Sequence, residues 1–189
     1  DGRTSPYIER LRQQAAPFGD RVRFIGHASR EEMPRHFLMS DVLAFPSLWQ
    51  EPFGMAALEA QAAGLPVVAF DQGGPAEIIR HGTTGFLVPI NQGAAGLAEA
   101  LLACLNDPTT REVLGREARW TVEERFSWER MAQELLTLCG RKQIEPSPGV
   151  PSGGDATNRS VPNFRTVLYV ESGAGYGGSA QSLYELLRT

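Results

Sequence analysis

Two glutamates, Glu51 and Glu59, bracket a helix start that carries no cap of its own. They lie in the stretch SLWQEPFGMAALEAQAAGLPVVAF, residues 47–70. Carboxylates accept hydrogen bonds strongly, and sugar hydroxyls are good donors to them. Between the two, Gly54 opens a predicted helix over Met55–Ala63 built from strong helix formers. No Ser, Thr, Asp or Asn stands at the N-cap position, so the first-turn amides lack a side-chain partner. An uncapped, glycine-led helix start suits a phosphate group. A ligand with both a phosphate and a sugar would satisfy the whole stretch. The plainer reading is a buried helix with two solvated glutamates, and E-x7-E spacing alone does not separate the two.

The elements around this stretch set its position. Pro52 holds Glu51 extended, Gly64 stops the helix, and Pro66 prevents its return. Val67–Phe70 then reads as a central strand. Upstream, Pro6–Phe18 has helical apolar spacing, Val22–Ile25 reads as a short strand, and Ser29 caps a short helix. Asp41–Phe45 is a second strand. Downstream, Asp71-Gln72-Gly73-Gly74-Pro75 forms another strand-to-helix turn, with glycines for close backbone approach. A last strand over Phe86–Pro89 precedes three helices, with apolar stripes at Ala94, Leu97, Leu101, Leu105, then Val113, Leu114, Ala118, Val122, then Trp128, Met131, Leu135, Leu138. The stripes read as core-facing by preference, with part of the last one expected to be exposed.

The order Glu-Pro-Phe-Gly, Leu-Glu-Ala, Ala-Gly-Leu-Pro-Val-Val resembles the signature of retaining glycosyltransferases of family four, the glycogen-synthase-like group with the GT-B fold. Phe24-Ile25-Gly26-His27, Met39-Ser40-Asp41-Val42 and Pro46-Ser47 continue the likeness. The resemblance implies that Glu51 faces the donor sugar in the catalytic region, without being assigned as a nucleophile. It places Glu59 on the ribose, and the backbone at Phe53, Gly54 and Met55 near phosphate and sugar. Gly26 and His27 would lie near the base, and Gly73 and Gly74 would border the donor cleft. A lone histidine after a strand is more often a loop residue than a catalyst, so His27 receives no proton-transfer role. Trp49 reads as a loop-packing residue before a donor-site wall. Glu77 reads as a helix-dipole residue.

The resemblance further implies a nucleotide-sugar donor as substrate, transfer with retention to an unknown glycan or lipid-linked acceptor, and no cofactor or metal. Polysaccharide biosynthesis is the setting by analogy. The expected fold is α/β, a Rossmann-like parallel sheet of four strands with helices on both faces. It is an incomplete GT-B C-terminal domain over 1–139, lacking its first strand. The family's N-terminal domain and its diphosphate-neutralising Arg and Lys pair lie outside the stretch present. Isolated, the chain is therefore expected to bind nucleotide weakly and to be inactive as a transferase.

Composition sets the remaining bounds. The 189 residues carry a net charge of −4, which argues against nucleic acid as a partner. The two cysteines have no metal-ligand spacing around them, and two isolated thiols suit a cytoplasmic protein, peripheral at the inner membrane face at most. No signal peptide and no membrane span is evident. Residues 140–163, rich in Pro and Gly, read as a flexible linker. Residues 164–189 then supply strand Thr166–Val170, the glycine loop with Gly173, Gly175, Gly177 and Gly178, and a helix. That piece fits G-x-G-x-x-G, and so a dinucleotide-binding enzyme of the NAD type stays open. It equally resembles the opening of a second glycosyltransferase N-terminal domain, the preferred reading after a glycosyltransferase half. A non-catalytic nucleotide-binding module is the third reading. The terminal piece is expected to be detached, unless Thr166–Val170 joins the sheet.

Overall fold

The computed structural model describes residues 6–139 and the backbone of 167–169. Its elements are α1 (Pro6–Ala15), α2 (Met33–Met39), β1 (Val42–Phe45), α3 (Met55–Ala62), β2 (Val67–Phe70), α4 (Gly73–Ile78), β3 (Gly85–Val88), α5 (Gly93–Asn106), α6 (Pro108–Arg125), α7 (Trp128–Leu138) and β4 (Val167–Tyr169). The strands form one parallel sheet in the order β3-β2-β1-β4.

The pleat explains why β1 and β2 are apolar at every position. Successive side chains point to opposite faces, and here both faces are covered. Leu43, Phe45, Val67 and Ala69 pack with Phe37, Ala57, Ala60 and Leu65 beneath α2 and α3. Val42, Ala44, Val68 and Phe70 pack on the other side with Leu97, Leu101, Cys104 and Leu114 from α5 and α6. All eight strand residues are buried. Cys104 sits inside the second layer, where burial raises its thiol pKa to about 11.

Helix ends follow the local sequence. Gly64 takes φ 75°, Leu65 N–H donates to Ala60 O, and Gly64 N–H donates to Gln61 O, which is the Schellman closure of α3. Asp107 caps α6 through bonds from Thr109 N–H and Thr110 N–H. Ser127 does the same for α7 through Arg130 N–H. Before α2 the Glu32 carboxylate accepts from Ser29 N–H at 2.9 Å, the carboxylate half of a capping arrangement.

Three expectations are corrected. Val22–Ile25 is not a strand, because among the described residues nothing pairs with it. Phe24 instead lies under Arg12, and Ile25 is exposed. The fourth strand is Val167–Tyr169, which joins the sheet beside β1 with Val42, Leu43 and Ala44 opposite Val167, Leu168 and Tyr169. The strand of the terminal piece is therefore not detached. Finally, α7 buries none of its residues, and the stripe Trp128, Met131, Leu135 and Leu138 faces outward. Core residues lie instead on β1, β2 and the helices that cover them, α2 and α3 on one face and α5 and α6 on the other.

Candidate functional site

Parallel strands put their carboxyl ends on one side, and ligands of open α/β sheets bind there. The loop leaving β1 carries Glu51 through Gly54, and the turn leaving β2 carries Gln72 through Gly74. The two are interlocked backbone to backbone. Gly74 N–H donates to Glu51 O at 2.7 Å. A Cβ on Gly73 would come within 2.6 Å of Glu51 O, and one on Gly74 within 2.1 Å of Phe53 O. The close approach that these glycines permit is thus made by the neighbouring loop. Gly73 and Gly74 lie beside Glu51 because they hold its loop.

Glu51 is half-buried, and its Oε2 is buried with no hydrogen-bond partner among the described residues. The same holds for Ser47 Oγ at the start of the loop. Gly54 adopts φ 90°, a left-handed conformation that favours glycine, and begins α3 with no side-chain cap. Its carbonyl accepts from Ala57 and Leu58 N–H. The first-turn amides of α3 therefore stand as expected, without side-chain partners, beside Glu51. Phe53 and Met55 are exposed there, and the Phe53 ring meets Phe126 edge-on at 6.2 Å.

Glu59 lies one turn along α3, exposed, on the rim of a cleft of about 440 Å³. Met33, Phe37 and Leu38 of α2, Ala62 and Ala63 at the end of α3, and the cations Arg30 and Arg119 line it. A mostly apolar cleft with a few polar groups is the usual form of a small-molecule site. Gly26 and His27 do not line this cleft; they are exposed on the preceding loop, and Gly26 takes φ 73°. Trp49 is half exposed, and its carbonyl accepts from Glu51 N–H at 2.9 Å. Glu77 is exposed on α4. The glycine loop at Gly175, Gly177 and Gly178 lies outside the described residues.

Sequence reasoning missed four contributors. Gln72 reaches across to the Glu51 loop, Gln61 pins α3 from below, and Arg30 with Arg119 flanks Glu59. Gln61 is fully buried, and its amide nitrogen donates to Thr84 O at 3.2 Å and Thr84 Oγ1 at 3.1 Å. A polar residue on an alanine-rich buried face was the available signal for Gln61. Gln72 and the arginines had none, since their partners are distant in sequence.

The profile of the family described as "Glycosyl transferases group 1" matches residues 4–121, more than half of the chain. The chain belongs to that family. Among curated relatives, spore coat protein SA of Bacillus subtilis is 34% identical over 138 residues, covering 73% of this chain and 37% of that protein. Glycogen synthase of Mycobacterium tuberculosis is 34% identical over 133 residues, covering 69% and 32%. The group 1 chain thus spans about a third of the length of these relatives. Among solved structures, sucrose-phosphate synthase from Thermosynechococcus elongatus matches with a TM-score of 0.65 and 36% identity, over 74% of this chain and 36% of that one. Anabaena HepE, solved in complex with UDP-glucose, matches with a TM-score of 0.63 and 29% identity, over 71% and 36%. The expected Rossmann-like, GT-B type of fold is therefore the fold of this group 1 domain. Among the described residues, no helix is long and apolar enough to cross a membrane.

Proposed function

We propose that this chain is the donor-binding half of a retaining glycosyltransferase, taking a nucleotide-activated sugar and, within a longer protein, passing the sugar to an acceptor. The observation that carries the reading is the juxtaposition at the carboxyl edge of the sheet. An unpartnered Glu51 carboxylate oxygen lies beside an uncapped helix start, with a second carboxylate one turn further on at a cleft. UDP-glucose, with which HepE was solved, has the three parts this arrangement suits.

The roles follow from chemistry. As the bond from sugar carbon to diphosphate oxygen breaks, its electron pair stays on the leaving oxygen. The free amides at the start of α3 stabilise that growing charge, aided by the helix dipole. Glu51 accepts hydrogen bonds from sugar hydroxyls and fixes the ring for attack by the acceptor oxygen. Glu59 accepts from the ribose hydroxyls, and the apolar cleft beside it takes the flat base. Gly73 and Gly74 act by shaping the Glu51 loop. The acceptor and the family's N-terminal domain complete the site as partners, and the reading calls for a cytoplasmic donor supply.

Calorimetric titration of the chain with UDP, GDP and ADP, repeated on Glu59→Ala, tests this. One nucleoside diphosphate is expected to bind preferentially. The substitution is expected to weaken it by about tenfold or more, the usual loss for hydrogen bonds to a charged group. Equal binding by the variant, or binding of NAD alone, would overturn the reading.

A further inference from the structure

The loop bearing Glu51 makes few bonds of its own and is held from the neighbouring turn. Gln72 stands in extended backbone between β2 and α4. Its amide nitrogen donates to Ser47 O at 2.8 Å and Trp49 O at 3.3 Å, 25 and 23 positions away in sequence. Two residues later Gly74 N–H takes Glu51 O. The carbonyls of three alternate loop residues, 47, 49 and 51, are thus bound by one short turn. The side-chain oxygens Ser47 Oγ and Glu51 Oε2, on two of those same residues, are buried and have no hydrogen-bond partner among the described residues. The backbone is fastened while the carboxylate is left for something else.

We infer that Gln72 is a positioning residue for Glu51, setting the carboxylate in place for the donor sugar before the donor arrives. The inference rests on the proposed role of Glu51. Its physical basis is preorganisation: a carboxylate on an unfastened loop must be ordered at the moment of binding, and that ordering subtracts from affinity. Misplacement of a positioning group by about 1 Å is enough to cost rate and affinity. Gln72 is a half-buried residue; on its loss the Trp49 carbonyl keeps Glu51 N–H and lies where water can reach it, while the part-buried Ser47 carbonyl loses its partner.

The two parts of the donor separate this role from a general effect on folding. Glu59 and the α3 amides meet the nucleoside diphosphate, whereas Glu51 meets only the sugar. Calorimetric dissociation constants would therefore be measured for the preferred nucleoside diphosphate and for its glucose conjugate. The chains compared are unsubstituted, Gln72→Met, Gln72→Glu, Glu51→Gln and the double variant Gln72→Met with Glu51→Gln. Both Gln72 variants are expected to leave diphosphate affinity within about twofold and to shift the ratio of conjugate to diphosphate affinity about tenfold against the conjugate. The double variant is expected to lose no more than Glu51→Gln alone. Equal weakening of both ligands, additive losses, or full retention by Gln72→Glu (which keeps the length and removes the donor) would overturn the inference. Absence of diphosphate binding by the unsubstituted chain would overturn the donor-site reading itself, and this inference with it.

Discussion

Gly74 has no room for a methyl group, since a Cβ there would meet Phe53 O, C and Cα all within 2.3 Å. Those are backbone atoms of the loop carrying Glu51, so the loop must move if the methyl is to fit. Gly74→Ala is expected to destabilise the chain by roughly 1–3 kcal/mol, the usual cost of overpacking. It is also expected to weaken sugar-nucleotide binding, and urea unfolding with calorimetry would check both. Gly26→Ala provides the contrast: nothing lies within 4 Å of its missing Cβ, so its cost comes from φ 73° alone. The residue types Glu51, Gly54, Glu59 and Gly74 were legible because each sits in a local pattern of turn, helix start or helix turn. Gln72 was not legible. A glutamine's reach to carbonyls 23 and 25 positions away depends on two loops meeting, and one chain read in order holds no sign of that.

At the scale of elements, α3 depends on two closures that the sequence announced differently. Its glycine-closed end was visible in Gly64 and Pro66, and the Schellman bonds are there. The Gln61–Thr84 pin was not foreseen, yet it fixes the rotation of a helix whose buried face is mostly alanine and offers little to interlock. The next helix to depend on a cap is α6. The Asp107 carboxyl is held below its ordinary value of 3.8, chiefly by the Thr110 hydroxyl and then by the N–H groups of Thr110 and Thr109. A depressed carboxyl pKa stabilises the fold above the unfolded value and loses that contribution as pH falls through the folded one. The stability difference between the unsubstituted chain and Asp107→Ala should therefore be full near pH 6. It should shrink once pH drops below about 4, as urea midpoints across that range would reveal. Val22–Ile25 shows the opposite kind of element. It has the composition of a strand and, among the described residues, no neighbour to make it one.

Across the whole molecule, strand assignments at β1, β2 and β3 came from apolar runs bounded by Gly and Pro, and the two-faced burial of β1 and β2 follows from them. The partner of β1 on its other edge did not, because pairing between distant segments leaves no local trace. Periodicity alone did not place α7. An amphipathic stripe predicts that a face is apolar without saying what meets it, and here Trp128 and Leu138 are 77% and 84% exposed. Leu138→Ser is accordingly expected to change stability by less than about 0.5 kcal/mol. Leu97→Ala, in the buried layer under β2, should cost roughly 2–5 kcal/mol in the same urea experiment. The placing of β4 beside β1 has a consequence in time. Strands β1, β2 and β3 all leave the ribosome by residue 88, whereas β4 begins at Val167. At about 5–20 residues per second, β4 reaches the β1 edge on the order of ten seconds after β3 is made. Any other strand that reaches the β1 edge in that interval, from elsewhere in the longer protein or from another molecule, finds the row of backbone donors and acceptors that β4 occupies here.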